Sequence, residues 1–270
     1  MGFCYGPFQS RRLGLSLGVN VLLEGRGAKR CTYNCVYCEI GRSAGNELTS
    51  VHYVVDVKPD AHEEPFQVEL ERVLENVRSI ESVTFGYWGE PTLNPNLGEF
   101  LRQAAEVRAG LKRAERPTFA VFTNSSTVTR PEVREMLARF DLVLAKFDAG
   151  TQAEFTKINR PHPSVPPLDE ITEGLRKLGE RMERGNRLAL QCLFFSSRSP
   201  HFRGNGPAGE LGAWVARVAR IKPDLVQIYS VARQPAEPFV FATPKQRLLA
   251  AKERLEAALG PNAKTRVRVY

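Results

Sequence analysis

Cysteine is scarce and oddly counted in this 270-residue chain. There are five, which is not the even set of a secreted disulfide framework. No apolar run comes near the ~18 residues of a membrane-spanning helix. Charged Arg11 and Arg12 interrupt the N-terminal segment before a signal-peptide core can form. Met1-Gly2 has Gly6 where N-myristoylation requires Ser or Thr. The expectation is a cytoplasmic protein without a membrane partner. The four histidines are scattered and suggest no metal site. A second C-x-x-C or an H-x-x-H group, which would complete a structural zinc site, is missing. Low-complexity tracts, sequence repeats and changes of composition that would mark a boundary are absent too. The chain therefore reads as one domain over 1–270, with its core at about 13–260.

What is present is an alternation of short apolar runs with amphipathic segments. L-G-L-S-L-G-V-N-V-L-L (13–23) predicts a first strand, which Gly25 and Gly27 break. Residues 51–57 predict a short strand or extended cover, ended by Pro59. Phe66, Leu70, Val73, Leu74, Val77 and Ile80 recur at helical spacing. Strands are then predicted at 82–88, 119–124, 142–148, 188–195 and 225–231, with a last one at 267–270. Helices are predicted at 97–111, from Pro131, at 168–184, near 208–220 and at 244–259. About six β/α units imply a parallel barrel or a doubly wound sheet. In either fold, active-site residues gather beyond the C-terminal ends of the strands. The net charge of +8 permits a polyanionic partner such as RNA, although its basic residues are dispersed along helices as a solvated face would be.

Cys31-Thr-Tyr-Asn-Cys35-Val-Tyr-Cys38 holds three of the five cysteines. Thiolates at this spacing are soft ligands for an iron–sulfur cluster or zinc. A buried helical stripe is the bland alternative, but the preceding G-R-G-A-K-R is a polar loop and Asn34 sits inside the motif. A fourth ligand for zinc would have to come from Cys4 or Cys192. A three-cysteine [4Fe–4S] site, with one coordination position open, fits the spacing best. Gly89-Glu90-Pro91, Thr123-Asn124, Asp148 and Tyr229 fall at or just beyond predicted strand ends, on the same rim.

The C-x3-C-x2-C run, with Tyr37 before its last cysteine, resembles the signature of the radical S-adenosylmethionine (radical SAM) superfamily. Gly89-Glu90-Pro91-Thr92 is similar to that family's G-G-E-P motif. Thr123-Asn124-Ser125 resembles its T-N-G strand end, with serine for glycine, and Lys146-Phe147-Asp148-Ala149 resembles its S-L-D-A strand end. More narrowly, residues 10–19, Ile158-Asn-Arg-Pro-His162 and 226–238 look like a wyosine-synthase-related group of iron–sulfur oxidoreductases.

The resemblance implies a partial (β/α)6 barrel with a short N-terminal extension. It implies a [4Fe–4S] cluster on Cys31, Cys35 and Cys38, and S-adenosylmethionine on the open iron. Tyr37, Gly89, Glu90, Pro91, Thr123, Asn124, Lys146, Asp148 and Arg160 become candidate cofactor contacts. The implied reaction is reductive cleavage of S-adenosylmethionine to a radical that abstracts hydrogen, fed by a flavodoxin- or ferredoxin-type donor or a chemical reductant. A tRNA base is one candidate substrate, and a protein, peptide or small molecule is another. A non-enzymatic iron–sulfur or zinc module is the reading from a different class. Wyosine synthases carry further upstream cysteines where this chain has only Cys4, which sets it apart from them. Gln191, Cys192, Tyr229 and Arg12 are substrate-side candidates; of Gln191 and Cys192, neighbours on one strand, only one can face the interior. Arg11, Arg12, Lys29 and Arg30 flank the cysteine loop as candidate phosphate contacts.

Overall fold

Short strands whose residues are almost all buried build a parallel sheet covered by helices, as hydrophobic runs of this kind require. The computed structural model describes residues 2–22, 29–43, 48–112, 116–201, 203–206 and 208–270. Strand β1 (Cys4–Ser10) turns back into β2 (Gly14–Val19), and the two pair antiparallel. From β2 the sheet continues in parallel through β3 (Ser82–Phe85), β4 (Thr118–Thr123), β5 (Leu142–Lys146), β6 (Arg187–Ser197) and β7 (Leu225–Ser230). A short β8 (Val240–Ala242) pairs antiparallel with the end of β6, and β9 (Arg266–Val269) closes the order beside β7. Among the described residues no pairing joins β9 to β1. The six parallel strands β2–β7 thus form a partial barrel, open on one side.

Seven helices among the described residues follow this sheet: α1 (Phe66–Asn76), α2 (Leu97–Gly110), α3 (Pro131–Leu137), α4 (Gln152–Asn159), α5 (Leu168–Arg181), α6 (Ala208–Ile221) and α7 (Lys245–Leu259). Residues in register on neighbouring parallel strands share a face. Val83 and Phe85, Phe119 and Val121, Val143 and Ala145, Leu188 and Leu190, and Val226 and Ile228 point to the helices and make the main core. The other face is the inside of the barrel. Its lower layer is apolar, with Ala120, Leu142, Leu144 and Ala189 packed against Leu13 from the β1–β2 turn. Elsewhere the inside is polar: Ser16 and Thr84 share a hydrogen bond of 2.8 Å, and Gln191 donates to Gln227 at 3.0 Å.

Most predicted elements are present, with ends displaced by a few residues. The first strand is shorter than 13–23, since the Asn20 side chain turns the chain by accepting from Leu22 N. Leu23, Gly25 and Gly27 lie outside the described residues. Strand 82–88 ends at Phe85 because Gly86 takes φ of 132°. Residues 51–57 form no strand; Val51, Val55 and Val57 are buried as extended cover, and Val55 N donates to Leu93 O at 3.0 Å. The extension contains β1, which the sequence pattern hides. Gly6-Pro7 interrupts its run, and the ladder accommodates them by a register shift between Tyr5 and Phe8 at the sheet edge. No described helix is long and apolar enough to cross a membrane.

Candidate active site

The cysteine segment is clamped between two strand-end structures. On one side Arg30 N donates to Trp88 O at 2.8 Å, and Glu90 N donates to Arg30 O at 2.7 Å. Gly89 makes this approach possible: its φ is 150°, and a Cβ there would lie 1.6 Å from Arg30 O. On the other side the segment meets the end of α4. Asn34 N donates to Asn159 O (3.0 Å), Val36 N to Ile158 O (2.9 Å) and His162 N to Thr32 O (2.9 Å). Arg160 takes a left-handed conformation, φ 45°, to turn the chain out of the helix.

Each of the three sulfurs then receives an N–H donor from a different part of the chain. Asn124 Nδ2 lies 3.5 Å from Cys31 Sγ, Asn159 Nδ2 3.4 Å from Cys35 Sγ, and Lys29 Nζ 3.3 Å from Cys38 Sγ. Burial pushes the Cys31 thiol up, and burial with the charges of Cys31 and Cys38 pushes Cys35 up to about 12. Burial pulls the Lys29 ammonium down, but the three sulfurs outweigh it, so Lys29 ends above its ordinary value and stays charged. The sulfurs are close enough for their charges to act on one another. Yet among the described residues no three His, Cys, Asp or Glu side chains close on a single metal ion. A four-iron cube spreads its thiolates over separate corners, and N–H donors to sulfur are the usual outer support of such clusters. The residues present fit that group.

Glu90 ties the neighbouring strand ends together. Fully buried, it accepts from Thr92 Oγ1 (2.6 Å), Thr123 Oγ1 (2.8 Å) and Asn124 N. Burial lifts its pKa above the ordinary carboxylate value despite these donors. Pro91 begins the 3-10 turn Pro91–Leu93, and the Asn124 amide also bonds Thr32 Oγ1 at 2.8 Å. Ser125 stands at φ 71°, a left-handed position that favours glycine, and its hydroxyl bonds Lys146 O at 3.0 Å.

On the inner face Lys146 Nζ contacts Asp148 Oδ1 and Tyr229 OH, both at 2.9 Å, and lies 4.7 Å from the centre of the Tyr37 ring. Burial would lower the Lys146 pKa, but Asp148 and Tyr229 outweigh it and hold Lys146 above its ordinary value. Asp148 also accepts from Leu193 N (2.8 Å) and from the Tyr37 hydroxyl. With three protein donors on two oxygens it fixes Lys146 and Tyr37 in place. Arg12 lies over the Tyr229 ring, 4.2 Å from its centre.

Several expected roles change with this geometry. Gln191 is the inward member of its pair. Cys192 faces the helix layer, wholly buried beside Trp214 of α6, so it cannot donate hydrogen to a substrate inside the barrel. Cys4 lies by Glu69 of α1. Arg160 turns its Nη1 to buried Glu237, which engages this end of the guanidinium in bracing the cysteine loop. Lys29 is buried on Cys38 and the Gly41 carbonyl rather than facing a phosphate. The sequence pattern does not single out Asn159 or Glu237 as site residues, though they sit in the 158–162 and 226–238 segments. Glu237 also takes Arg42 and donates its N–H to Val36 O at 3.0 Å, bracing the cysteine loop.

Comparison with known proteins is consistent with this geometry. A family model described as the radical SAM superfamily matches residues 27–190. The UPF0026 protein of Methanocaldococcus jannaschii is 35% identical over 176 residues, 65% of this chain and 49% of that one. A Brachyspira hyodysenteriae protein named GTPase Obg is 30% identical over 255 residues, 94% of this chain and 33% of that one. The chain spans half or less of the length of these two relatives. Streptococcus suis SuiB bound to S-adenosylmethionine superposes with a TM-score of 0.59 at 13% identity, over 90% of this chain and 49% of that chain. TYW1 with a lysine-pyruvate adduct bound superposes at 0.56 and 15% identity, over 90% and 73%. At such identities the likeness is one of fold.

Because the Gly89–Arg30 approach leaves no room for a side chain, Gly89→Ala should detach the cysteine loop. After anaerobic reconstitution the variant is expected to hold less than about a tenth of the wild-type iron and sulfide, a loss of ~1.4 kcal/mol or more in loop docking. Wild-type content in Gly89→Ala would contradict the clamp.

Proposed function

The chain belongs to the radical SAM superfamily, whose enzymes use a [4Fe–4S] cluster and S-adenosylmethionine, and from that premise we propose that it is such an enzyme, working as one domain in the cytoplasm. The observation that carries the assignment of Cys31, Cys35 and Cys38 as ligands is that each sulfur meets its own N–H donor, from Asn124, Asn159 and Lys29. Cys31, Cys35 and Cys38 would hold the cluster, which would supply the electron for reductive cleavage of S-adenosylmethionine and, through it, hydrogen abstraction from the substrate. The electron comes from a flavodoxin- or ferredoxin-type protein or a chemical reductant.

The residues around the cysteines hold and orient. The backbone of Gly89–Pro91, braced by Glu90, offers carbonyls to the cofactor's amino group. Thr123 and Asn124 keep that turn against the cysteine loop. Lys146 stays charged and presents an ammonium to the cofactor's carboxylate, with Asp148 and Tyr37 fixing its direction. Gln191 and Tyr229 face the substrate.

A nucleobase of an RNA, such as tRNA, is the substrate favoured by the open side of the barrel. Tyr5 packs on Gly18 with its hydroxyl on Gly86 O (2.8 Å), and its ring lies 4.5 Å from that of Tyr87. Phe8 and Tyr87 are 57% and 43% exposed, and such uncovered rings are stacking platforms for unpaired bases. The net charge of +8 adds attraction for a polyanion.

Reconstituted protein given dithionite and S-adenosylmethionine should form 5′-deoxyadenosine, and Cys35→Ala should form none above background. Equal amounts from both would refute the enzymatic reading and leave a passive metal module. For the substrate, tRNA binding followed by fluorescence anisotropy should weaken steeply with salt, and Tyr87→Ala should weaken it by roughly fivefold or more. Binding indifferent to both salt and Tyr87 would point instead to a protein or peptide substrate.

A further inference from the structure

The β1–β2 turn carries a cation that the cofactor chemistry leaves unused. Leu13 of that turn plugs the lower, apolar layer of the barrel. Arg12, just before it, reaches up the inside from the end opposite the cysteines and lays its guanidinium on Tyr229. The neighbouring cations are matched. Lys146 has Asp148, Arg160 has Glu237, and Lys29 has Cys38 and a carbonyl. Among the described residues Arg12 has no carboxylate partner, and its Nη1 is sealed from solvent without a hydrogen-bond acceptor. Arg12 as a residue is only half-buried, but this one N–H of its guanidinium is sealed and unpaired, which is costly. Nor is the arrangement loose, since Lys146 holds the Tyr229 hydroxyl at 2.9 Å and so fixes the ring beneath the guanidinium. Gln227, two residues before Tyr229 on the same face, presents a further amide beside Gln191.

We propose that Arg12 and Tyr229 form an oxyanion subsite on the inner face of the barrel, which receives a carboxylate or phosphate of the substrate. The inference deepens the enzymatic reading and rests on it for the substrate's arrival at this face. Tyr229 covers the flat side of the guanidinium, so the anion meets its edge, where a planar fork pairs two N–H groups with two oxygens. Approach from the floor brings the guanidinium to the Tyr229 ring, while Lys146 holds the hydroxyl of the same residue from the cofactor side. It gives the substrate two fixed points: its anionic group below and its reacting carbon above, near the cysteines.

The test uses the cluster-reconstituted 270-residue chain saturated with S-adenosylmethionine, titrated calorimetrically with acetate and, separately, inorganic phosphate at constant ionic strength. At least one anion should bind the wild type. Its affinity should fall at least about tenfold in Arg12→Gln and survive within a fewfold in Arg12→Lys, which keeps the charge and checks the fold. Arg11→Gln, changing the exposed neighbour, should bind as the wild type does. Preference for acetate identifies a small carboxylic acid, and preference for phosphate a nucleotide. Absence of binding by both anions, or equal binding by Arg12→Gln, overturns the subsite. So does recovery of Arg12-dependent binding only when S-adenosylmethionine is left out, since Arg12 would then belong to the cofactor. Failure to form 5′-deoxyadenosine with Arg12-dependent anion binding intact would instead refute the enzymatic reading and leave the subsite standing.

Discussion

The site depends on one backbone contact, the carbonyl of Arg30 lying against Gly89 and accepting from Glu90 N. The three cysteines lie on a segment with no regular secondary structure, so its shape must be imposed from outside. Gly89 provides the close approach on one side. The carbonyls that end α4 provide the matching hydrogen bonds on the other. Buried Glu90 then links the same turn to Thr123 and Asn124, so β3, β4 and the cysteine loop are held at fixed separations.

Electrostatics completes what the backbone begins. Burial disfavours thiolates at Cys31 and Cys35 and so works against the charged form that a metal needs. Lys29, Asn124 and Asn159 oppose that effect by directing N–H groups at sulfur. Higher on the inner face the same logic keeps Lys146 charged beside Asp148. The buried Lys146–Asp148 pair thus keeps an ammonium in place on the inner face of the barrel.

Much of this is legible in the sequence, and the rest is hidden for identifiable reasons. The six parallel strands follow from period and turn residues, and C-x3-C-x2-C announces three soft ligands. Edge strand β1 was masked because Gly6-Pro7 breaks its pattern. The facing of Gln191 and Cys192 depends on register with Lys146 and Ile228, which period-two alternation alone leaves undetermined. The sulfur donors were harder still. Asn159 is 124 positions from Cys35 and Asn124 is 93 from Cys31, and only tertiary structure brings them together. At Ser125 the departure from the family's glycine is physically tolerated. A left-handed residue costs ~1–2 kcal/mol, and the hydroxyl bond to Lys146 O offsets part of that.

On the proposed reading, three supported cysteines leave one iron of a four-iron cluster open to S-adenosylmethionine. Electron paramagnetic resonance of the reduced, reconstituted protein with and without S-adenosylmethionine tests this most directly. A [4Fe–4S]+ signal whose g-values shift when the cofactor is added is the predicted result. A signal that does not respond to S-adenosylmethionine, or a preparation that binds one zinc ion per chain and no cluster, would contradict it.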